Sequence, residues 1–172
     1  PCLADVQSRA GATLELTGAQ CRARTGSIMT RPKLYGWSQC PFVQRARMAL
    51  QHKGIEHDHV RMDEYGYDKP DWFMKMNPLG QVPVLQNGAH IVYESSVILE
   101  YIEDTWPEPP MMPARNDQRA LTRILIGYCD REFVGRKFLL LRNQDRDKHT
   151  DLLQRALDSW RWLNTFLERH SP

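Results

Sequence analysis

The stretch Trp37-Ser38-Gln39-Cys40-Pro41-Phe42-Val43-Gln44-Arg45 decides how the rest of the chain is read. Just before it, Lys33-Leu34-Tyr35-Gly36 reads as a short strand. Just after it, Phe42, Ala46, Ala49 and Leu50 recur at helical spacing and form a one-sided apolar stripe. A strand therefore runs through a loop into a helix, with Cys40 at the join. Pro41 suits the first helical position, where its missing N–H costs nothing and its fixed φ matches the helix. The Cys40 sulfur is thus expected at a helix N-terminus, where unpaired N–H groups and the positive end of the helix dipole converge. A thiol there is expected to give up its proton more readily, and the thiolate is the reactive form. Buried cysteines as a class only pack, but the strand–Cys–Pro–helix context argues for chemistry. Val43 occupies the place of the second cysteine of a CxxC motif, which excludes a dithiol cycle within this stretch. A disulfide at Cys40 needs a thiol from elsewhere, and a small cellular thiol is the natural candidate.

Upstream, residues 1–28 are small and polar, and their apolar runs are broken by Gly11, Glu15 and Gly18, so no signal-peptide core is present. They read as a disordered or artefactual leader, with Met29 as the natural start. The whole chain of 172 residues carries 41% hydrophobic and 26% charged residues, the balance of a globular protein. A net charge of +2, with basic and acidic residues interleaved, gives no argument for nucleic acid. No stretch approaches the length of a membrane span. The four cysteines at 2, 21, 40 and 129 have neither metal-ligand spacing nor the density of a disulfide scaffold. They point to a reducing, cytoplasmic setting.

Downstream, the Cys40 helix is expected to end near Gly54. His57-Asp58-His59-Val60-Arg61 reads as a second strand, with His57 and His59 on one face; without a third ligand nearby, a solvated edge is preferred to a metal pair. Lys69 to Met76 reads as a short helix. Asn77-Pro78-Leu79-Gly80-Gln81 is turn chemistry. Val82-Pro83-Val84-Leu85 reads as a strand whose proline forgoes a ladder bond, and a cis peptide there is one good reason for it. Asn87-Gly88 signals a two-residue hairpin. Glu94-Ser95-Ser96 then opens a helix through about Asp104, with Ser95 or Ser96 as its cap and Val97, Ile98, Tyr101 and Ile102 on one side. That helix start is a second place that favours an anion. Strand–helix–strand followed by a hairpin and a helix is an α/β layer fold with a mixed sheet. Prolines 107, 109, 110 and 113 then forbid a continuous helix. Beyond them only helix is visible. One stripe runs through Leu121, Ile124, Leu125 and Tyr128, with Asn116 as its cap. A second starts at Thr150 and runs through Leu152, Leu153, Ala156, Leu157, Trp160, Leu163 and Leu167. Two such helices bury little alone, so they must pack on the first domain, on a partner, or on helices this chain lacks.

Cys40-Pro41-Phe42, Lys69-Pro70-Asp71-Trp72-Phe73, Asn77 through Leu85 and Tyr93-Glu94-Ser95-Ser96 together resemble the cytosolic glutathione transferases, and within them the omega-type, cysteine-containing branch. The likeness is strongest from about Lys33 to Pro113. It implies a thioredoxin-like α/β domain (βαβαββα) over residues 29–106, a Pro-rich linker over 107–116, and an all-α domain over 117–172 that is shorter than in the family. It implies that Cys40 forms a mixed disulfide with glutathione, used as co-substrate without a metal. Val82, before the family's cis-proline Pro83, would pair its backbone with the cysteinyl part of glutathione. Glu94 and Ser95 would hold the γ-glutamyl end, Lys69 would reach the glycine carboxylate, and Phe42 would flank the thiol. The expected activity is glutathione-dependent thiol transfer or reduction, with a disulfide or an oxidised small molecule such as dehydroascorbate as acceptor. A homodimer is expected if the helical domain is complete. Ile98 to Glu103 with Trp106-Pro107 and Pro109 to Pro113 also resembles the bacterial stringent starvation protein A, which binds RNA polymerase instead of catalysing. Cys40, Lys69, Glu94 and Ser95 favour the enzyme, because a binding module has no need of them.

Overall fold

A computed structural model describes residues 31–66 and 68–170. The leader at 1–28, with Cys2 and Cys21, lies outside the described residues. Strand β1 (Lys33–Gly36) leads into helix α1 (Pro41–His52), which is followed by β2 (Asp58–Arg61), a 3-10 turn at Asp63–Tyr65 and α2 (Asp71–Met76). Then come β3 (Val84–Asn87), β4 (His90–Tyr93) and α3 (Ser95–Thr105). The strands form one mixed sheet in the order β2-β1-β3-β4, with β1 and β2 parallel and the other two pairings antiparallel. This is the expected thioredoxin-like α/β layer fold.

Alternation along the strands builds a core on each face of the sheet. Leu34 and Leu85 point to one face, where they meet Val43, Ala46, Ala49 and Leu50 of α1 and Ile98 and Ile102 of α3. Their neighbours Tyr35 and Val84 point to the other face and meet Met62 and Phe73. Burying each large apolar side chain contributes about 1.5–3 kcal/mol, which makes these two clusters the main stabilisers of the domain. The α1 stripe lies close on the sheet: a Cβ at Gly36 would fall 2.3 Å from Val43 Cγ2, so β1 needs glycine where the helix crosses it.

Several local expectations shift by a residue or more, each for a visible reason. His57 precedes β2 instead of sharing its face, and its Nδ1 lies 3.2 Å from the Ile55 carbonyl; His59 Nε2 lies 3.2 Å from the Gly36 carbonyl. Pairing of β3 starts at Val84, opposite Tyr35, and Val82-Pro83 precede it with a cis peptide between them. The hairpin loop is Gly88-Ala89, not Asn87-Gly88. Asn87 stays in register with His90 while its Nδ2 donates to Tyr101 Oη at 3.0 Å, and Gly88 supplies the positive φ (+60°) of the first loop position. In α3 the cap residue is Glu94. Its carbonyl accepts the Ile98 N–H at 2.9 Å, so Ser95 is already inside the helix and buried. Val97 is exposed, and Ile98, Ile102 and Glu103 form the buried side.

The helical part is a bent pair. Helix α4 (Asn116–Tyr128) continues without a break through a π-wound segment, Cys129–Val134, into α5 (Gly135–Arg142). Asn116 is the first helical residue and not a cap, because the Arg115 carbonyl already accepts from the Arg119 N–H at 3.0 Å. Helix α6 (Arg146–His170) starts four residues earlier than Thr150, where Asp145 Oδ1 takes the Asp147 N–H at 3.0 Å. The α6 face is stitched by aromatic contacts: Tyr128 on Trp162 with ring centroids 3.5 Å apart, and Phe133 on Trp160 at 4.7 Å. Yet Leu153, Leu157, Trp160 and Leu167 are between 40% and 59% exposed, so much of the expected apolar stripe is uncovered.

Candidate active site

The thiol sits where the chain changes from extended to helical backbone. Cys40 has φ −72° and ψ 123° and precedes Pro41, the first residue of α1. Its N–H donates to the Trp37 carbonyl at 3.2 Å and its carbonyl accepts from the Gln44 N–H at 2.9 Å. These two bonds fix the turn, and the sulfur makes no capping bond to the helix. The loop ahead of it is anchored to the far side of the sheet. Trp37 Nε1 donates to the Met62 carbonyl at 3.0 Å, and the Ser38 N–H reaches Asp63 Oδ1 at 3.4 Å.

Cys40 lines a cavity of about 720 Å³ with Trp37, Phe42, Lys69, Val82, Phe138 and Arg142. A second cavity of about 240 Å³ is lined by Phe42, Val82, Pro83, Glu94, Ser95, Arg45 and Asp130. Phe42, Gln81 and Val82 belong to both walls, so the cavities adjoin. Every residue singled out in the sequence therefore borders one of these spaces: Cys40 and Lys69 the larger, Pro83, Glu94 and Ser95 the smaller, Phe42 and Val82 both. A third cleft of about 510 Å³ between α3 and α4 is bordered by Val97, Met111, Met112 and Ile126 and by none of these seven.

Each wall has its own support. Asn77, almost fully buried, donates from Nδ2 to the Gln81 carbonyl at 2.8 Å, and its Oδ1 accepts the Leu79 N–H at 3.1 Å. This closes the turn that delivers Val82 to the cavity. Glu94 is the one non-glycine residue with positive φ among the described residues (φ 68°, ψ 112°). Such a backbone costs on the order of 1–3 kcal/mol and persists where the surrounding fold imposes it. The next residues open α3, so the cavity faces the N–H groups of a helix start, a favourable place for an anionic group.

The charges around the larger cavity are held in defined states. Lys69 Nζ donates to the Gly66 carbonyl and stands 4.6 Å above the Trp37 ring. Burial lowers its pKa, partly offset by the nearby Asp68 carboxylate. For Asp63, burial works upward, but the bonds from Arg61 and the Ser38 N–H overrule it and hold the carboxyl below the usual range. Phe42 stacks on Phe138 of α5 at 6.5 Å and carries the Arg45 guanidinium 5.1 Å from its ring. Cys129, in the π-wound segment, is pushed the other way: burial and the adjacent Asp130 raise its pKa despite Arg45. That fits a packing role for this second thiol.

The sequence alone does not mark Asn77, Arg45, Asp130, Phe138 or Arg142 as site residues. Asn77 and Arg45 lie inside the two motifs around Cys40 and Val82, and a polar residue among apolar neighbours is the one signal for Asn77. The other three come from the helical domain, and no local pattern ties them to a site some ninety residues away in the chain.

Three comparisons bear on this arrangement. The family description "Glutathione S-transferase, N-terminal domain" matches residues 39–105. The chain is 44% identical over 91 residues to a probable glutathione transferase of Aplysia californica, covering 52% of this chain and 96% of that protein. It is 42% identical over 82 residues to the glutathione S-transferase omega-1 of Mus musculus, covering 47% of this chain and 33% of that one. By the matched region it spans about a third of that longer relative's length. Among solved structures, glutathione transferase Omega 3C from Trametes versicolor superposes with a TM-score of 0.70 at 28% identity, covering 78% of this chain and 61% of that chain.

Proposed function

The chain belongs to the cytosolic glutathione S-transferase family, on its omega-type branch, and on that premise we propose that it is a glutathione-dependent thiol transferase or reductase working through Cys40. One observation carries the reading: the Cys40 thiol borders a cavity that opens, past Phe42, Gln81 and Val82, into a second one walled by Glu94, Ser95 and the start of α3. A tripeptide whose thiol lies near Cys40 and whose γ-glutamyl end lies at α3 spans just these two spaces. Lys69 offers a cation for the glycine carboxylate at the other end.

In the proposed cycle the Cys40 thiolate attacks the glutathionyl sulfur of a mixed disulfide. The S–S bond breaks, the acceptor's sulfur leaves with the electron pair and takes up a proton, and Cys40 carries the glutathionyl group. A glutathione thiolate then attacks that group, releases glutathione disulfide and restores the Cys40 thiolate. Overall the mixed disulfide and one glutathione become the free acceptor thiol and glutathione disulfide, an exchange that needs no other oxidant or reductant. The reading includes a cytoplasmic setting, glutathione with a disulfide or small oxidised acceptor as partners, and assembly as a homodimer. The matched relatives, named as transferases, favour this over the polymerase-binding alternative. Among the described residues no helix is long and apolar enough to cross a membrane.

The test is turnover of the mixed disulfide of glutathione and 2-mercaptoethanol, followed through glutathione disulfide release. Wild type should turn over and Cys40→Ser should fall to the uncatalysed rate. Equal turnover by both would remove Cys40 from the reaction.

A further inference from the structure

The glutathione reading leaves one cation on the larger cavity without a role. Phe138 and Arg142 stand one turn apart on α5 and so share a face of that helix. Both border the cavity of about 720 Å³ that Cys40 lines. The stack of Phe42 on Phe138 seats this face beside the start of α1, next to the thiol. The Arg142 guanidinium lies 5.4 Å from the Phe138 ring, and among the described residues it makes no ion pair and no hydrogen bond. The other charges on this wall are engaged. Lys69 donates to the Gly66 carbonyl and stands over the Trp37 ring. Asp63 accepts from Arg61 and from the Ser38 N–H.

A guanidinium beside an aromatic ring still offers its fork of N–H donors, which matches the two oxygens of a carboxylate. Trp37, Phe42 and Phe138 give the same wall flat apolar surface. The space next to the thiol therefore complements a molecule with an aromatic body and an acid at its far end. We propose that Arg142 selects the acceptor, and that the preferred acceptor is an aromatic thiol carrying a carboxylate, its ring against Phe138 and its acid on Arg142. The inference rests on the glutathione reading given above and names the acceptor class for it. The exchange is the one already written. The Cys40 thiolate bonds to the glutathionyl sulfur, the S–S bond breaks, and the departing aromatic thiolate takes the electron pair and then a proton. Arg142 is assigned to the acid of the acceptor and not to the reacting sulfurs, so it governs which acceptor binds.

The test is steady-state turnover of two mixed disulfides of glutathione, one with 4-mercaptophenylacetic acid and one with its neutral amide. The methylene keeps the acidities of the two leaving thiols close, so the ratio of their kcat/KM values reads recognition of the acid. Wild type should favour the acid by roughly three- to fivefold, the scale of a partly exposed ion pair, and added salt should shrink the ratio. Arg142→Gln should bring the ratio close to one, with the loss falling on the acid. Arg142→Lys keeps the charge and should retain part of the preference. Phe138→Ala should lower turnover of both aromatic disulfides relative to the mixed disulfide of 2-mercaptoethanol. A ratio near one in wild type, or a ratio that Arg142→Gln leaves in place, would overturn the proposal. Wild type that turns over none of the three mixed disulfides would overturn the glutathione reading itself, an outcome distinct from both.

Discussion

Lys53, its side chain fully withdrawn from solvent, donates to Glu103 at 2.6 Å and so joins the end of α1 to the end of α3. The pair does more than close the first domain. Lys53 Nζ also reaches the Pro107 carbonyl at 3.1 Å, and the Glu103 carboxylate accepts the N–H groups of Met111 and Met112 at 3.0–3.2 Å. The Pro-rich linker is therefore clamped onto the α/β domain by one buried ion pair. Removing one partner of such a pair leaves the other charge buried and uncompensated. Glu103→Gln should lower unfolding stability by about 3 kcal/mol in urea titration. The double replacement of Lys53 and Glu103 by apolar residues should recover part of that loss. A Glu103→Gln variant as stable as wild type would mean that the clamp is not formed.

The same pair sets a pH dependence. Burial pushes the Glu103 pKa upward, but the Lys53 ammonium and the two linker N–H groups outweigh it and leave it below its ordinary value of 4.5. A carboxylate with a depressed folded-state pKa contributes stability above its unfolded value, and that contribution is lost as pH falls through the folded value. Wild type should therefore lose stability as pH drops from 4.5 downward, and Glu103→Gln should lack that share of the slope. Parallel acid limbs for the two proteins would contradict the assignment.

Glu94 is expected to trade stability for binding. Its positive φ is strained for a side chain but open to glycine. Glu94→Gly should leave thermal stability unchanged or raised, by up to about 1–2 kcal/mol once the entropy cost of glycine is counted. It should also weaken glutathione binding. A clear loss of stability would show that the Glu94 side chain holds the fold and not the ligand.

Lys69 tests the far end of the tripeptide. If its ammonium reaches the glycine carboxylate, Lys69→Met removes binding common to ground and transition states. KM for glutathione should rise by about three- to tenfold with kcat unchanged. A fall in kcat without a change in KM would give Lys69 a different role.

The parts of this fold that the sequence discloses are those with a local period or a local rule. The strand–Cys–Pro–helix unit follows from the position of Pro41 and the spacing of Phe42, Ala46, Ala49 and Leu50; α1 begins at Pro41 and ends at His52, two residues before the expected Gly54, and Val43 takes the buried place in the first turn that the stripe assigns to Phe42. Asn87-Gly88 satisfies a two-residue turn on its own, but the bond of Asn87 to Tyr101 and its pairing with His90 keep it in the strand, so the loop falls one residue later. Serine is the better local candidate for the α3 cap, whereas the fold imposes a positive φ on Glu94, the residue before it, which takes that place. The π winding at Cys129–Val134 has no signature in the order of residues, so the approach of Asp130 to Arg45, 85 positions away, had none either. The amphipathic period of α6 signals the helix, but period alone does not say what covers the stripe, and Trp160 and Leu157 stay exposed.

The central claim is that Cys40 carries the glutathionyl group. Intact-protein mass after incubation with glutathione disulfide tests it most directly, with Cys40→Ser beside wild type. The account predicts a glutathionyl adduct on wild type that reduced glutathione removes, and one adduct fewer on the variant. The same adducts on both proteins, or none on wild type, would contradict it.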